Sequence, residues 1–568
     1  MRWRRVLDIV VSDPRRRTRL AYVIAAALIL LSVGRVISTY HVFSQVWDEP
    51  YHVACGLEWW QNGVYHLAVE QPPLSHIAVS ALLYFRGVRV SHFEDPWRDG
   101  NAALTAFGRY AENLSCARLG TLPFWIMSGL LVFAIGRRVY SHATALLALL
   151  LFSTLPPALG FAGLAYTDMA LVAGMLFFAW RWMAFADRPD LRNGFWLGVS
   201  IAFAVLSKYS AIPYIGLAVA FTAAAAIRGK RIAWQRGSTL LRAAPVLLCI
   251  GVTAFLCTWA CFRFSLEPIA PDAGQAHPGL DRRLGQSGLL HRLAYAALDT
   301  PVPLAELGRG VVQLGAHAEE GHVTYTFGKV RRTGTFYYYP VLLVLTIPVG
   351  LIVLLIWGGL NLKRASGGGW TPAHQALLSV PVAVLLVNLF SSINIGFRHN
   401  LAFYPFVCLV GAVSIFEWRQ TRFRAGRRLL LAVLVGQHLI SSALAHPDYA
   451  TYFNFLAGSK PEEICTFSRL GGDEWRLASR LKQLGARHVC LGLDHPLPLN
   501  DLGLPPYTLI ERNVPCEGWL AVDIYRRRLD RNNLLDPSDT GLGWLASYQP
   551  IERVGHSILL YRIPNSSP

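Results

Sequence analysis

Four acidic residues follow closely on the first long apolar run of the chain, in the stretch from 45 to 78. They are Asp48, Glu49, Glu58 and Glu70, and they stand among Trp, Tyr and His residues. A carboxylate placed in a site can take a proton from an incoming hydroxyl or amine. A carboxylate at the end of a membrane span can equally be a solvated helix end. The choice depends on which other charged residues lie at the same level of the membrane.

Further charged residues stand at the ends of later apolar runs. Asp168 lies between two such runs, where an ionisable residue is costly and usually lines a cavity or a site. The cations are Arg118, Lys208 and Arg398, the last of which is followed by His399. Such cations can hold a phosphate, Arg in bidentate fashion. Arg118 has a second interpretation, a salt bridge that simply neutralises Asp48 or Asp168.

Apolar runs of membrane-spanning length must position these residues. The chain has 568 residues, of which 53% are hydrophobic and 15% charged, and its mean hydropathy is +0.35. This balance is too apolar for an ordinary soluble enzyme and predicts a multi-span α-helical membrane protein. We predict eleven spans, at 20–40, 117–136, 142–162, 167–186, 194–209, 211–227, 240–262, 338–360, 374–392, 400–417 and 427–445.

Lys and Arg residues in the short links predict the orientation of the spans. The links rich in Lys and Arg are 136–140, 181–194, 228–237, 361–369 and 418–428. The links that lack this enrichment are 165–169, 207–210 and 392–400. By the positive-inside rule the first set is cytoplasmic and the second external, so the N-terminus lies inside. The acids and cations then gather at the external face, which predicts a site for an anionic, lipid-linked substrate.

Three external parts follow from this topology. The run at 74–88 is too short for a span and is predicted to be an interfacial or re-entrant helix, which makes 41–116 one external loop. A second long external loop covers 263–336. The tail at 446–568 has one helical pattern and several strand patterns. It is predicted to form a small α/β domain on the outer face.

Composition argues against several other classes. The net charge is +18, but the basic residues lie in short links rather than on one face, which argues against nucleic acid as a partner. No glycine-rich phosphate loop indicates a nucleotide donor, and no compact ligand cluster predicts a metal. The nine Cys contain no CxxC pair. Cys55 with Cys116, or two of Cys465, Cys490 and Cys516, could form disulfides in an oxidising compartment.

Taken in order, the motifs resemble a superfamily of membrane glycosyltransferases. WDEPYH after the first span, EQPPLSH before the surface helix and YTDM in the next external link look like the protein O-mannosyltransferases. They also resemble the bacterial aminoarabinose transferases, which share the GT-C fold. Five later blocks resemble bacterial family 39-like members: SKYSAIPY, GTFYYYPVLLVLTIP, IGFRHNLAFYPF, HPDYATYFNFLAG and ERVGHSILLYRI. The resemblance implies a GT-C transmembrane catalytic domain over 1–445 and an extracytoplasmic α/β domain over 446–568.

The resemblance also implies an activity. The expected enzyme transfers a hexose or pentose from a polyprenyl-phosphate-linked donor to an acceptor protein, lipid or glycan, at the outer face of the inner (plasma) membrane. Transfer would invert the sugar, with polyprenyl phosphate as the leaving group. Asp48 is the expected general base, Glu49 its neighbour in the site and Asp168 the second acid. Some relatives bind a divalent metal at their acids and others need none, so a metal cofactor stays open.

The remaining implied site residues divide into two groups. Arg118 matches an arginine that opens a span in the mannosyltransferases, and with Lys208, Arg398 and His399 it forms the implied donor-phosphate site. The implied substrate-pocket residues are Glu70, Pro72, His76 and Tyr338. In the mannosyltransferases a lysine commonly stands at the position of His76, so this chain departs from the pattern there.

Two other functional classes remain as alternatives. A lipid-linked-sugar transporter or flippase would have two related halves and acids near mid-span. In this chain no duplication is visible, and the acids stand at span ends. A non-catalytic membrane assembly subunit would leave the arrangement of Asp48, Asp168 and Lys208 without a role. Glycosyl transfer accounts for that arrangement and is the predicted function.

Overall fold

The computed structural model describes most of the chain. The described residues are 14–228, 237–269, 298–331, 333–415, 424–465, 471–493, 496–510, 514–531 and 542–564, with four single residues between 288 and 296. Most of the basic link at 228–237, part of the link at 418–428 and part of the loop at 263–336 lie outside them. Within the described residues the protein forms twenty α-helices and nine β-strands.

Helices make up most of the structure. In chain order they are α1 (Pro14–Ile37), α2 (Glu49–Asn62), α3 (Pro73–Phe85), α4 (Pro96–Thr105), α5 (Tyr110–Leu119), α6 (Leu122–Val139), α7 (His142–Ser153), α8 (Pro156–Ala162), α9 (Asp168–Asp187), α10 (Leu191–Ser207), α11 (Ala211–Arg228), α12 (Gly237–Cys261), α13 (Ala305–Glu320), α14 (Tyr338–Thr346), α15 (Val349–Ala365), α16 (Pro372–Leu389), α17 (Tyr404–Ala412), α18 (Arg424–Leu444), α19 (Glu474–Gln483) and α20 (Ile524–Arg531).

Seven helical segments in the described part of the chain are long and apolar enough to cross a membrane. The count is up to nine if the bent pairs α7–α8 and α14–α15, with bends of 64° and 109°, are one span each. Helices α10 and α17 also coincide with predicted runs but are shorter. The coarse prediction of a multi-span α-helical membrane protein is therefore confirmed, whereas the eleven spans and their orientation stay predictions.

The stretch between the first span and α5 contains three short helices. Helix α2 begins directly after Asp48, and α3 has 13 residues, close to the short helix predicted at 74–88. Pro73 stands at the first position of α3, where a missing N–H costs nothing and the fixed φ favours a helical start. Helix α2 packs against both α3 and α4. The stretch is therefore an ordered part of the fold that can hold side chains in fixed positions.

The tail contains a five-stranded sheet with strand order β6-β5-β7-β9-β8. Strand β5 pairs in parallel with β6 and β7, and β9 pairs antiparallel with β7 and β8. Two short antiparallel pairs of strands, β1 with β2 and β3 with β4, precede it. The strands are β1 (Leu266–Pro268), β2 (Pro301–Pro303), β3 (Thr324–Thr326), β4 (Lys329–Arg331), β5 (Val489–Gly492), β6 (Tyr507–Leu509), β7 (Gly518–Asp523), β8 (Glu552–Val554) and β9 (Ile558–Ile563).

Two features of the tail refine the sequence interpretation. The segment from 552 to 563 forms a hairpin, because Gly555 adopts a left-handed backbone (φ +59°) between β8 and β9. A disulfide joins Cys490 of β5 to Cys516. Cys55 and Cys116 are separate free thiols, so the structure selects one of the open pairings.

Candidate functional site

One cavity collects five of the predicted site residues. Its volume is about 430 Å³, and its lining includes Asp48, Glu70, Lys208, Arg398 and His399. These residues come from the start of α2, the link before α3, the end of α10 and the turn before α17. The lining also contains polar residues that sequence reasoning did not assign to the site, among them His52, Gln71, Tyr166, His317, His322 and Asn394.

Two ion pairs organise the charges beside this cavity. Arg398 Nη1 donates to Asp48 Oδ2 at 2.9 Å, and Lys208 Nζ donates to Asp168 Oδ1 at 2.6 Å. The side chain of Asp48 is 24% exposed, whereas that of Asp168 is 1% exposed. Asp168 is the first residue of α9 and lies behind Lys208. Asp48 is therefore the acid that a bound molecule can reach, and Asp168 supports the lysine.

Three buried polar atoms of these side chains have no hydrogen-bond partner among the described residues. They are Arg398 Nε, Asp168 Oδ2 and His399 Nε2. Buried polar groups in native proteins are almost always paired, and the exceptions often mark a functional site. Arg398 thus has donor capacity beyond its bond to Asp48. An anionic group entering the cavity would supply acceptors.

The two histidines nearest these cations are held neutral. Burial lowers the pKa of His52 well below its usual value, and the positive charges of Arg398 and Lys208 lower it further. Burial and the same two cations act in this way on the pKa of His399. A lowered pKa means that both imidazoles are uncharged at neutral pH. The positive charge at the cavity therefore comes from Lys208 and Arg398.

Arg118 does not line the cavity. Its guanidinium is 1% exposed and donates to both carboxylate oxygens of Glu49, at 2.8 and 2.9 Å. Its remaining N–H groups donate to the carbonyl oxygens of Tyr40, Phe43 and Ser44, at 2.8–3.1 Å. Because these bonds engage all three of its nitrogens, the geometry agrees with a salt bridge rather than a phosphate contact. The partner is Glu49, so the prediction of Asp48 or Asp168 as the partner is wrong: these two acids pair with Arg398 and Lys208 instead.

Glu49 is likewise an anchor within the protein. It is fully buried and also accepts hydrogen bonds from the backbone N–H groups of Val46 and Ala165, both at 2.9 Å. The pair with Arg118 therefore fixes the turn that leads into α2. Asp48 is in that turn, and its backbone N–H donates to Tyr166 Oη at 3.1 Å. Glu49 supports the position of Asp48 instead of facing the cavity beside it.

Three predicted pocket residues also lie outside the cavity lining. Pro72 precedes α3 in an extended conformation. His76 is buried and hydrogen-bonded to His52, which does line the cavity. Tyr338 is buried at the start of α14, next to Tyr339, whose ring contacts the ring of His399. These residues support the lining from behind.

The tail contacts the same turn from the other side. Ser44 donates through Oγ to Glu474 Oε2 at 2.5 Å and through its backbone N–H to the carbonyl of Gly472 at 3.0 Å. Val46 forms an antiparallel bridge with Gly471. The turn before Asp48 is thus held between the Arg118 pair and residues of the tail. The tail is a structural part of the site.

We expect Glu474→Ala to lower sugar transfer about tenfold or more without unfolding the protein. The carboxylate that holds Ser44 is lost, and a displacement of about 1 Å at a reacting group can cost up to about a hundredfold in rate. The measurement is turnover of the purified protein. Glu552→Ala is the matched control. Glu552 forms an ion pair with Arg480, which is on the same helix as Glu474, and this pair lies away from Ser44. Equal loss in both variants would contradict a positioning role.

Sequence signals existed for only some of the unassigned lining residues. His52 stands four residues after Asp48 in α2, a spacing that places two side chains on one helix face. Tyr166 adjoins the predicted acid in YTDM. Tyr525, from the first turn of α20 in the tail, also lines the cavity, and nothing in its local sequence indicates this.

The acids of the site do not fit a metal centre. Asp48 and Asp168 are each bound to a cation, and among the described residues no three His, Cys, Asp or Glu side chains come together to hold a metal ion.

Comparison with known families supports the motif resemblance. The sequence model of the dolichyl-phosphate-mannose-protein mannosyltransferase family matches residues 111–257, about a quarter of the chain. The resemblance is confirmed over this stretch, which includes Arg118, Asp168 and Lys208. A search of curated protein sequences gives no match.

The chain is also similar to several solved structures. ArnT from Cupriavidus metallidurans bound to undecaprenyl phosphate is 11% identical, with 95% of this chain and 99% of that chain covered and a TM-score of 0.47. The Archaeoglobus fulgidus oligosaccharyltransferase in the apo form is 12% identical, covering 89% and 69%, with a TM-score of 0.49. AglB from Archaeoglobus fulgidus with an inhibitory peptide and a dolichol-phosphate is 12% identical, covering 95% and 74%, with a TM-score of 0.49. At these identities, substrates and residue roles do not transfer.

Proposed function

We propose that the protein is an inverting glycosyltransferase that moves a sugar from a polyprenyl-phosphate-linked donor to an acceptor protein, lipid or glycan. The observation that carries this proposal is the cavity in which the accessible carboxylate of Asp48 stands beside the cations Arg398 and Lys208. The family match over 111–257 adds support, since its description names a dolichyl-phosphate-mannose donor.

Asp48 supplies the base of the proposed reaction. A hydroxyl or amine of the acceptor gives its proton to Asp48 as the acceptor atom attacks the anomeric carbon of the sugar. Arg398 engages Oδ2, and no hydrogen bond reaches Oδ1 from the described residues. The single displacement inverts the anomeric carbon and needs no covalent intermediate on the protein.

The cations stabilise the leaving group. As the bond between the anomeric carbon and the phosphate oxygen breaks, the oxygen keeps the electron pair and its negative charge grows. Arg398 and Lys208 are already fixed by their acid partners, so they need little reorganisation to stabilise this charge. Arg398 Nε is buried and has no hydrogen-bond partner among the described residues, so its donor capacity is unused.

We place the cavity on the extracytoplasmic side of the inner membrane. Helix α9 starts at Asp168 and α10 ends beside Lys208, so the basic link at 181–194 lies at the opposite end of both helices. The positive-inside rule assigns such a link to the cytoplasm. The disulfide between Cys490 and Cys516 supports the same orientation, because disulfides persist in oxidising compartments.

Binding of the lipid phosphate tests the role of the cations. We expect Arg398→Gln to weaken binding of undecaprenyl phosphate about 10- to 100-fold, the effect of losing one charged hydrogen bond. Arg398 is preferred to Lys208 for this test, since removing the lysine would leave Asp168 buried without its cation. The measurement is titration of purified protein with undecaprenyl phosphate.

Arg138→Gln provides the matched control. Arg138 is paired with Asp187 at 2.7 Å, but at the far ends of α6 and α9. Its substitution should leave binding unchanged. The proposal fails if Arg398→Gln binds the lipid as tightly as the unchanged protein, or if the two variants are weakened alike.

A further inference from the structure

A chain of buried hydrogen bonds leads from the cavity into the protein. His52 Nδ1 lies 2.8 Å from His76 Nε2, and His76 Nδ1 lies 2.5 Å from Tyr65 Oη. Tyr65 Oη in turn lies 2.7 Å from the carbonyl oxygen of Gln71. Of the three hydrogen-bonded side chains His52, His76 and Tyr65, only His52 lines the cavity.

The partners at the far end fix the direction of every proton in the chain. The carbonyl of Gln71 only accepts, so the single hydroxyl proton of Tyr65 is used there. Tyr65 must then accept from His76, whose Nδ1 carries the proton and whose Nε2 carries the lone pair. His52 consequently donates through Nδ1 to His76. The hydrogen positions are assigned from this network, which leaves His52 Nε2 as an unprotonated acceptor.

Packing keeps the chain in this arrangement. A Cβ on Gly56 would lie 2.0 Å from the carbonyl oxygen of His76, so only glycine lets α2 and α3 approach closely enough for His52 to reach His76. His52, His76 and Tyr65 are each at most 2% exposed. Burial and nearby positive charges also lower the pKa of His52, which keeps its imidazole neutral.

We propose that His52 Nε2 accepts a hydrogen bond from a hydroxyl group of the donor sugar and so helps to select the sugar. His52 follows Asp48 by one helical turn, and its ring contacts Tyr166, over which the guanidinium of Arg398 also lies. The sugar attached to a phosphate at Arg398 would therefore reach His52. Trp47, Trp97 and Gln71 line the same cavity and offer the aromatic faces and amide that sugars bind. The identification of the ligand as a sugar rests on the proposed function, whereas the assignment of the His52 tautomer does not.

Diethyl pyrocarbonate tests the tautomer without any assay of activity. The reagent is attacked by an imidazole lone pair, forming an N–C bond as ethyl carbonate leaves and the proton on the other nitrogen is lost. In the full-length protein we expect labelling at His52 and none at His76, both of whose nitrogens are bonded. His66, with 48% side-chain exposure, serves as the internal reference in the peptide mass spectra.

Tyr65→Phe should reduce labelling of His52 about tenfold. Without the phenolic acceptor, the proton on His76 Nδ1 has no partner. The alternative tautomer, in which His52 carries its proton on Nε2, is then favoured over the present one by about one more hydrogen bond than in the unchanged protein. Tyr84→Phe is the control, because Tyr84 is on the same helix as His76 and stacks on Trp60. Equal labelling of His52 in all three proteins, or labelling of His76, would overturn the tautomer assignment.

Protection from the reagent tests the sugar contact. Undecaprenyl-phosphate mannose, at a concentration at which it is seen to bind, should protect His52, whereas undecaprenyl phosphate alone should not. Protection by both lipids, or by neither, would overturn the contact with a sugar hydroxyl. If the lipids do not bind at all, the proposed function fails and the sugar contact fails with it, while the labelling pattern still decides the tautomer.

Discussion

We expect Asp48→Asn to lower the turnover of sugar transfer by roughly two to four orders of magnitude while the protein still folds. The amide keeps the size of the side chain and can still face Arg398, but it cannot take a proton from the acceptor. The side chain of Arg398 is 18% exposed, so loss of the Asp48 charge does not leave the cation fully cut off from solvent. Binding of the lipid-linked donor should change much less than turnover, because the cations stay in place.

The measurement is transfer from labelled polyprenyl-phosphate sugars by the purified protein. Asp187→Asn is the matched control, since Asp187 is also an Asp bound to an Arg at a helix end but lies away from the cavity. It should retain full activity. If Asp48→Asn is as active as the unchanged protein, Asp48 is not the base. If no donor is consumed by either, the transporter and assembly-subunit alternatives gain support.

Much of the fold could be predicted because the bilayer imposes simple rules. Apolar runs about 20 residues long are where helices must form, and the eleven predicted runs coincide with helices of the structure. The bends within 142–162 and 338–360 were harder to predict from the sequence. Pro156 and Pro348 stand at those breaks, but proline is also common at helix starts, so the sequence alone does not give the angle.

The roles of Asp48 and Glu49 show where sequence reasoning ends. The two acids are neighbours, and successive residues at a helix start point about 100° apart. One therefore faces the cavity and the other faces Arg118. Which acid faces the cavity and which faces Arg118 depends on the packing of α5 and of the link at 165, and no local sequence pattern encodes this packing. Both are named by the same motif, and only the structure separates the accessible acid from the anchor.

Contacts between distant parts of the chain also could not be predicted from the sequence. Ser44 meets Glu474, and Tyr525 lines a cavity whose acid is Asp48. The tail was predicted as a separate α/β unit because its strand patterns differ from the apolar runs. Its contribution to the site depends on how the sheet docks, which is decided by buried polar contacts that have no periodic signature.

We expect Arg118→Leu to lower the free energy of unfolding by about 3–5 kcal/mol, because it leaves the carboxylate of Glu49 buried without its cation. Arg118→Lys should be nearly as damaging. A lysine carries the same charge, but its single ammonium cannot reproduce the planar fork that binds both oxygens of Glu49 and three backbone carbonyls. Both variants should also lose transfer activity, since the turn that carries Asp48 is no longer fixed.

Thermal unfolding of the purified protein in detergent measures this effect, and Arg86→Leu is the matched control. Arg86 forms an ion pair with Glu112 at 2.9 Å in the same region, but the two side chains are 40% and 59% exposed. Water and salt already screen that pair, so its loss should barely move the unfolding midpoint. If Arg118→Lys unfolds with the midpoint of the unchanged protein, charge alone sustains the site, and the five-bond geometry of Arg118 is not what holds Asp48 in place.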